Sequence, residues 1–255
     1  MRRGRWGFWF RVAVLILRPP LQLLTRRQWR GQEQLPRRGG VVVCTNHVSY
    51  LDPLTFAHFV YDSGRAPRFL AKASVFRLPV AGRIIRGAGQ IPVYRESEEA
   101  GVAFTAAVEA VRRGECVVIY PEATITRDPQ LWPMTGKTGA ARVALRTGAP
   151  VIPVAQWGPQ HVLAPYTRLP RLLPRKTIHV AAGSPVDLEE YVGREPSAEV
   201  LAGATARIMA AITTLLEDIR GERAPDVRFD GRAGGLPGTR SPAKPRRPDP
   251  DRRSA

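Results

Sequence analysis

The sequence is poor in the groups that usually announce a mechanism. Two cysteines, Cys44 and Cys116, stand in 255 residues, both in or beside apolar runs. They read as reduced core thiols of a cytoplasmic protein, because a secreted scaffold would carry more. Its four histidines, His47, His58, His161 and His179, are scattered and no paired cysteine spacing exists, so no metal-ligand cluster is expected. There is no Gly-x-Ser-x-Gly elbow and no reactive cysteine setting, so the chain offers no nucleophile for a covalent intermediate. No internal repeat is present.

Acidic residues are scarce at both ends. Residues 1–38 hold ten Lys and Arg against one acid, and residues 220–255 hold ten against five, so most of the net charge of +17 lies outside a nearly balanced centre. Such a distribution suits a folded domain held near an anionic surface, membrane or nucleic acid. The amino end favours a membrane. Trp6-Gly7-Phe8-Trp9-Phe10 and Val12-Ala13-Val14-Leu15-Ile16-Leu17 are flanked by Arg2, Arg3, Arg5 and Arg18 and interrupted by Arg11. This stretch is shorter than the roughly 20 apolar residues a spanning helix needs, and Pro19-Pro20 is expected to stop it. Arginines beside aromatic rings suit a segment lying in the headgroup layer. Docking of the same amphipathic helix on the protein's own core is the alternative, and different faces can serve both. No small-residue cleavage site follows the run, which argues against a signal peptide.

Beyond this arm, apolar strand-like and helix-like pieces alternate. Strands are expected at Val41–Thr45, Arg68–Ala73, Gln90–Tyr94, Cys116–Tyr120, Val151–Gln156 and Thr177–Ala182, and helices near Pro53–Tyr61, Val80–Arg86, Glu98–Arg112, Thr138–Arg146 and Ser197–Ile219. The alternation predicts an α/β fold, a largely parallel central sheet flanked by helices. Three regions follow: an amphipathic membrane-associating arm over 1–38, the α/β domain over 39–220, and a basic tail over 221–255. The tail is rich in Pro, Gly, Arg and Asp with almost no large apolar residue, a composition that predicts disorder.

One segment carries chemistry. Asn46-His47-Val48-Ser49-Tyr50-Leu51-Asp52 follows the apolar run Val41–Thr45 and separates a histidine from a carboxylate by four residues. On a continuous helix the two side chains would point roughly 140° apart, so they meet only where the chain turns, as at a strand-to-helix junction. A carboxylate holding one imidazole nitrogen leaves the other free to take a proton from a hydroxyl. Asp52-Pro53 also reads as a helix N-cap followed by proline, with no chemistry implied.

Three further blocks follow in order. Lys72–Gly82 leads to Gly87-Ala88-Gly89-Gln90-Ile91-Pro92-Val93-Tyr94-Arg95; then come Tyr120-Pro121-Glu122-Ala123-Thr124 and Val151-Ile152-Pro153-Val154. Together with the first segment, these resemble the four ordered blocks of the glycerolipid acyltransferase family, whose best-known members are lysophosphatidic acid acyltransferases. The resemblance covers roughly residues 40–160. It implies a catalytic dyad of His47 and Asp52, with Arg95 and Glu122 holding the glycerol phosphate of the acceptor. Thr124, Arg127 and Lys72 complete the expected phosphate- and glycerol-binding set, and Ile152 and Pro153 shape the site by packing. The third block departs from the family's usual Phe-Pro-Glu-Gly-Thr-Arg, with Ala123 in place of the glycine and Ile125 in place of the arginine. A positive φ at position 123 would strain an alanine by about 1 kcal/mol. Arg127 or Lys137 is a candidate for the missing charge.

What the resemblance implies is an acyltransferase moving a fatty acyl group from acyl-CoA or acyl carrier protein to the free hydroxyl of 1-acylglycerol 3-phosphate. It would bind no cofactor and sit peripherally on the cytoplasmic side of the cell membrane, with an anionic lipid surface as partner. The same chemistry on another lysophospholipid or lipid acceptor is the nearest alternative. A non-catalytic basic protein binding lipid or nucleic acid is disfavoured, because the charge avoids the core and no nucleic-acid module is present.

Overall fold

The computed structural model describes residues 7–93 and 100–231. Among the described residues seven strands form one sheet: β1 (Thr25–Arg30), β2 (Val41–Thr45), β3 (Pro67–Lys72), β4 (Ile91–Val93), β5 (Cys116–Ile119), β6 (Val151–Trp157) and β7 (Lys176–Ala182). Their order is β1-β7-β6-β2-β5-β3-β4. All neighbours run parallel except β6 and β7. The α-helices among the described residues are α1 (Phe8–Leu24), α2 (Asp52–Asp62), α3 (Pro79–Gly87), α4 (Ala100–Arg112), α5 (Gly139–Thr147), α6 (Pro159–Val162) and α7 (Ala198–Arg220).

The central strands are apolar at every position because both faces are covered. Val42, Cys44, Val117 and Ile119 point into a core shared with α4, α5 and α7. Val41, Val43, Cys116, Val118, Ile152 and Val154 point the other way, where Phe56 and Phe59 of α2 pack. Both cysteines are buried free thiols, each pushed up to about 12 by burial, so they contribute packing and no nucleophile. Helix α7 is long and apolar enough to cross a membrane. Its Val200, Leu201, Ala204, Ile208, Met209, Ile212 and Leu216 are buried within the domain, so it is a core helix here. It starts with Ser197 Oγ accepting from Val200 N–H at 3.2 Å and ends at Gly221, φ +66°.

Two expectations differ at the ends. Helix α1 does not stop at Pro19-Pro20; it continues to Leu24. The carbonyls deprived of donors belong to Leu15 and Ile16, both on the exposed side, while Phe10 and Arg18 dock the inner side. Arg18 pairs with Asp62 at 3.2 Å and lies 5.3 Å from the Tyr61 ring, and Phe10 is buried against Tyr61. The indole of Trp9 lies so close to Gly87 of α3 that a Cβ there would come within 2.2 Å of it. Residues 25–30, expected within the arm, instead form edge strand β1, paired with β7. At the other end residues 221–231, expected within the tail, are tied to the domain. Thr135 N–H donates to Phe229 O at 3.0 Å, and Arg228 donates to Thr213 Oγ1 at 3.2 Å. Residues 232–255 lie outside the described residues.

Candidate active site

Strands β2, β3, β4 and β5 all deliver their carboxyl ends to one edge of the sheet, the usual location for a site in an open α/β fold. At the end of β2 the pairing with β6 is prolonged by side chains. Asn46 Nδ2 donates to Gln156 O at 3.0 Å, Gln156 N–H to Asn46 Oδ1 at 2.8 Å, and Gln156 Nε2 to Asn46 O at 3.0 Å. This clamp fixes the point at which the chain leaves the sheet. His47 follows it.

The turn to α2 then closes around Asp52. Its Oδ2 lies 2.8 Å from His47 Nδ1 and accepts the backbone N–H groups of Val48 at 2.6 Å and Ser49 at 2.8 Å. Asp52 is the first residue of α2 rather than its cap, so its carboxylate reaches back into the turn. The side chain is wholly buried and Oδ1 has no hydrogen bond. Burial raises its pKa, opposed by the hydrogen bond and charge of His47 and by the two amides. With a carboxylate on Nδ1, that nitrogen carries the proton and Nε2 is the basic one. His47 retains 16% side-chain exposure, so the ring is held but reachable.

The ring of Tyr120, just past β5, lies 4.4 Å from the His47 ring, centroid to centroid. Sequence reasoning missed this contact, although Tyr120 opens the third block. Burial, and secondarily Asp52, pushes the phenol well above its usual range, so it stays protonated and neutral. The Gln156 amide lies near enough to oppose this in part, but neither the Tyr120 hydroxyl nor Gln156 Oε1 makes a hydrogen bond of normal geometry.

Glu122 turns both carboxylate oxygens to backbone amides. Oε1 accepts His47 N–H at 2.9 Å and Oε2 accepts Met134 N–H at 3.0 Å, so both oxygens brace backbone. Burial raises Glu122 to about 8, opposed by those two amides and by nearby Arg228. The loop is also tied to the histidine by Thr126 N–H donating to His47 O at 2.8 Å. Ala123 has φ +57°, the left-handed conformation that a glycine would adopt without strain. Ile125, in the place of the family's arginine, is buried.

The other expected ligands are spread out. Arg127 Nη1 donates to Gly231 O at 3.4 Å, which turns it towards the carboxyl-terminal segment. Lys72 is exposed at the end of β3, Lys137 is exposed, and Thr124 is half-buried. Arg95 lies outside the described residues; β4, which ends two residues before it, finishes at the same edge as β2. Ile152 and Pro153 lie within β6, Ile152 fully buried in the core. Among the described residues no group of three or more His, Cys, Asp or Glu side chains could hold a metal. A cavity of about 440 Å³ lies beside β6 and β7, lined by Trp157, His161, Lys176, His179 and Arg220 among others, and no residue of the His47 turn lines it.

The family model described as Acyltransferase matches residues 26–157. A 1-acyl-sn-glycerol-3-phosphate acyltransferase of Borreliella burgdorferi is 32% identical over 127 residues, 49% of this chain and 48% of that protein. A lysophospholipid acyltransferase of Arabidopsis thaliana, LPEAT1, is 38% identical over 128 residues, 47% of this chain and 29% of that protein. The chain thus spans about half, or less, of the length of these curated relatives. The crystal structure of the 1-acyl-sn-glycerophosphate acyltransferase PlsC from Thermotoga maritima superposes with a TM-score of 0.65 at 22% identity, covering 85% of this chain and 81% of that one. That likeness establishes the fold.

Proposed function

The chain belongs to the acyltransferase family, and from that premise we propose that it moves a fatty acyl group from an acyl thioester to the free hydroxyl of 1-acylglycerol 3-phosphate, giving phosphatidic acid. The observation that carries this reading is the 2.8 Å contact between His47 Nδ1 and Asp52 Oδ2, which leaves Nε2 free at the rim of the sheet. His47 Nε2 removes the proton of the lipid hydroxyl as its oxygen attacks the thioester carbonyl carbon. The tetrahedral intermediate collapses, the carbon–sulfur bond breaks, and the departing thiolate takes the proton back from the imidazolium. Asp52 stabilises that imidazolium while it exists and keeps the ring in the productive tautomer. The step is balanced by an ester and a free thiol, with no acyl-enzyme.

Acceptor positioning falls to Arg95, with Lys72, Thr124 and Arg127 as further contacts. A guanidinium suits a phosphate through paired N–H groups, and holding the hydroxyl beside Nε2 lowers the barrier by proximity. Glu122 serves the same end at one remove, by fixing the backbone of His47. The donor is acyl-CoA or acyl carrier protein, and the protein needs no bound cofactor. It works peripherally at the cytoplasmic face of the membrane, where the exposed Phe8, Leu15, Ile16 and Leu23 of α1 support lipid contact while its other side docks on the domain.

A second acceptor class is favoured by one observation: the third block lacks its arginine and Ile125 is buried in its place. Mass spectrometry of lipids formed by the purified full chain from mixed lysolipids distinguishes the two, with acyl-CoA and acyl carrier protein supplied separately. Phosphatidic acid as the main product is expected. Acylation of a different lysolipid would move the assignment to that acceptor, and no acylated product with either donor would overturn it.

A further inference from the structure

Between α6 and β7 the chain runs through residues 163–175 without a regular element. This loop turns apolar and cationic side chains outward together. Leu169 is 84% exposed, Leu173 78% and Leu172 39%. Arg168, Arg171 and Arg175 are exposed among them. No acidic residue occurs between Asp128 and Asp187 in the sequence, so nothing nearby in the chain offsets this charge. Among the described residues, Arg168 and Arg171 form no ion pair.

The loop is held, not loose. Ser49 Oγ, in the catalytic turn, donates to Leu163 O at 2.6 Å. Tyr166 Oη donates to Ile125 O at 2.7 Å, on the loop that carries Glu122. Arg171 N–H donates to Val162 O at 2.6 Å. At the far end the Arg175 guanidinium donates to the carbonyls of Gln22 at 2.9 Å and Thr25 at 3.0 Å, where α1 finishes beside the exposed Leu23. The leucines are therefore presented to water by a stretch anchored at the active site on one side and at α1 on the other. Apolar groups kept exposed in this way, with unbalanced cations between them, match an anionic bilayer surface, where leucines enter the interface and arginines meet phosphates.

We propose that residues 168–173 are a membrane-docking element separate from α1, and that their occupant is the surface of an anionic phospholipid bilayer. The proposal rests on the reading of the acceptor as a bilayer lipid. Its consequence is orientation: a helix alone lets a domain swivel, whereas two fixed contacts hold the catalytic turn at a set angle to the lipid.

The test is co-sedimentation of the full chain with phosphatidylglycerol–phosphatidylcholine vesicles. The Leu169→Ser/Leu173→Ser variant should partition at least about tenfold less strongly. Arg168→Glu/Arg171→Glu should lose a similar factor on these vesicles and little on phosphatidylcholine alone. Turnover of both variants on a water-soluble short-chain acceptor with acyl-CoA should equal that of the parent chain. Unchanged partition of both variants overturns the proposal. So does unchanged partition accompanied by lost turnover with acyl carrier protein as donor, which would make the loop a protein-docking surface. Partition is read independently of catalysis, so a parent chain inactive on every acceptor would count against the proposed function and leave this measurement standing.

Discussion

The turn between β2 and α2 and the loop after β5 each bury a carboxylate at the same edge of the sheet, yet the two are wired differently. Asp52 gathers an imidazole and two amides onto one oxygen and leaves the other without a partner. Glu122 divides its oxygens between the backbone of His47 and that of Met134. In the proposed reaction the first arrangement acts on a proton, because it selects which imidazole nitrogen is basic. The second acts on geometry, because it ties the strand exit to the neighbouring loop. Burial alone would have grouped them together; the acceptors and donors around each carboxylate separate them.

Substitutions that keep shape and replace a carboxyl by an amide sharpen this contrast. Asp52→Asn should lower kcat by about 10²- to 10⁴-fold with KM far less affected, since the tautomer is no longer enforced. Steady-state kinetics on a lysolipid acceptor reads this directly. Glu122→Gln should act mainly on stability, costing about 1–3 kcal/mol near pH 5 because an amide NH2 must face a buried N–H, with turnover changed by less than about tenfold. Equal losses of kcat in the two variants would erase the distinction.

The Glu122 variant also has a pH signature. The folded carboxyl is raised to about 8 from an ordinary 4.5, so the unfolded chain ionises first as pH rises. Glu122 therefore contributes stability that is present in full below about 4.5 and lost as pH climbs through about 8. The deficit of Glu122→Gln relative to the parent should shrink across that window, reverse where the loss in the parent exceeds it, and level off above it. Paired denaturant titrations at several pH values measure it, and a deficit that grew with pH would contradict the cause assigned to the shift. The smallest effect is expected beside it: Ala123→Gly should relieve the strain at φ +57° and raise stability by up to about 1 kcal/mol, with turnover unchanged. The denaturant midpoint reports this.

The strands that carry the site were legible because each is a short apolar run, and β2 coincides with the expected Val41–Thr45. Strand β1 was not legible. Thr25-Arg26-Arg27-Gln28-Trp29-Arg30 is polar because it lies at the sheet edge, where only Thr25 is buried, and its sheet partner β7 is distant in the sequence. Pro19-Pro20 misled for a related reason: a local rule about donors does not register that the deprived carbonyls face outward. The His47–Asp52 pairing could be read from spacing, because four intervening residues and a strand before them leave few ways to turn. The role of Glu122 could not, since its partners, His47 and Met134, come from opposite directions along the chain. Nor could the ties from Ser49 to Leu163 and from Tyr166 to Ile125, which depend on how an irregular loop settles against the sheet.

The most direct measurement is acyl transfer by His47→Ala, assayed as lipid product beside a thermal melt of the same preparation. The account predicts a folded protein that forms no phosphatidic acid above the uncatalysed background. Turnover near that of the parent chain would mean that the imidazole is not the base.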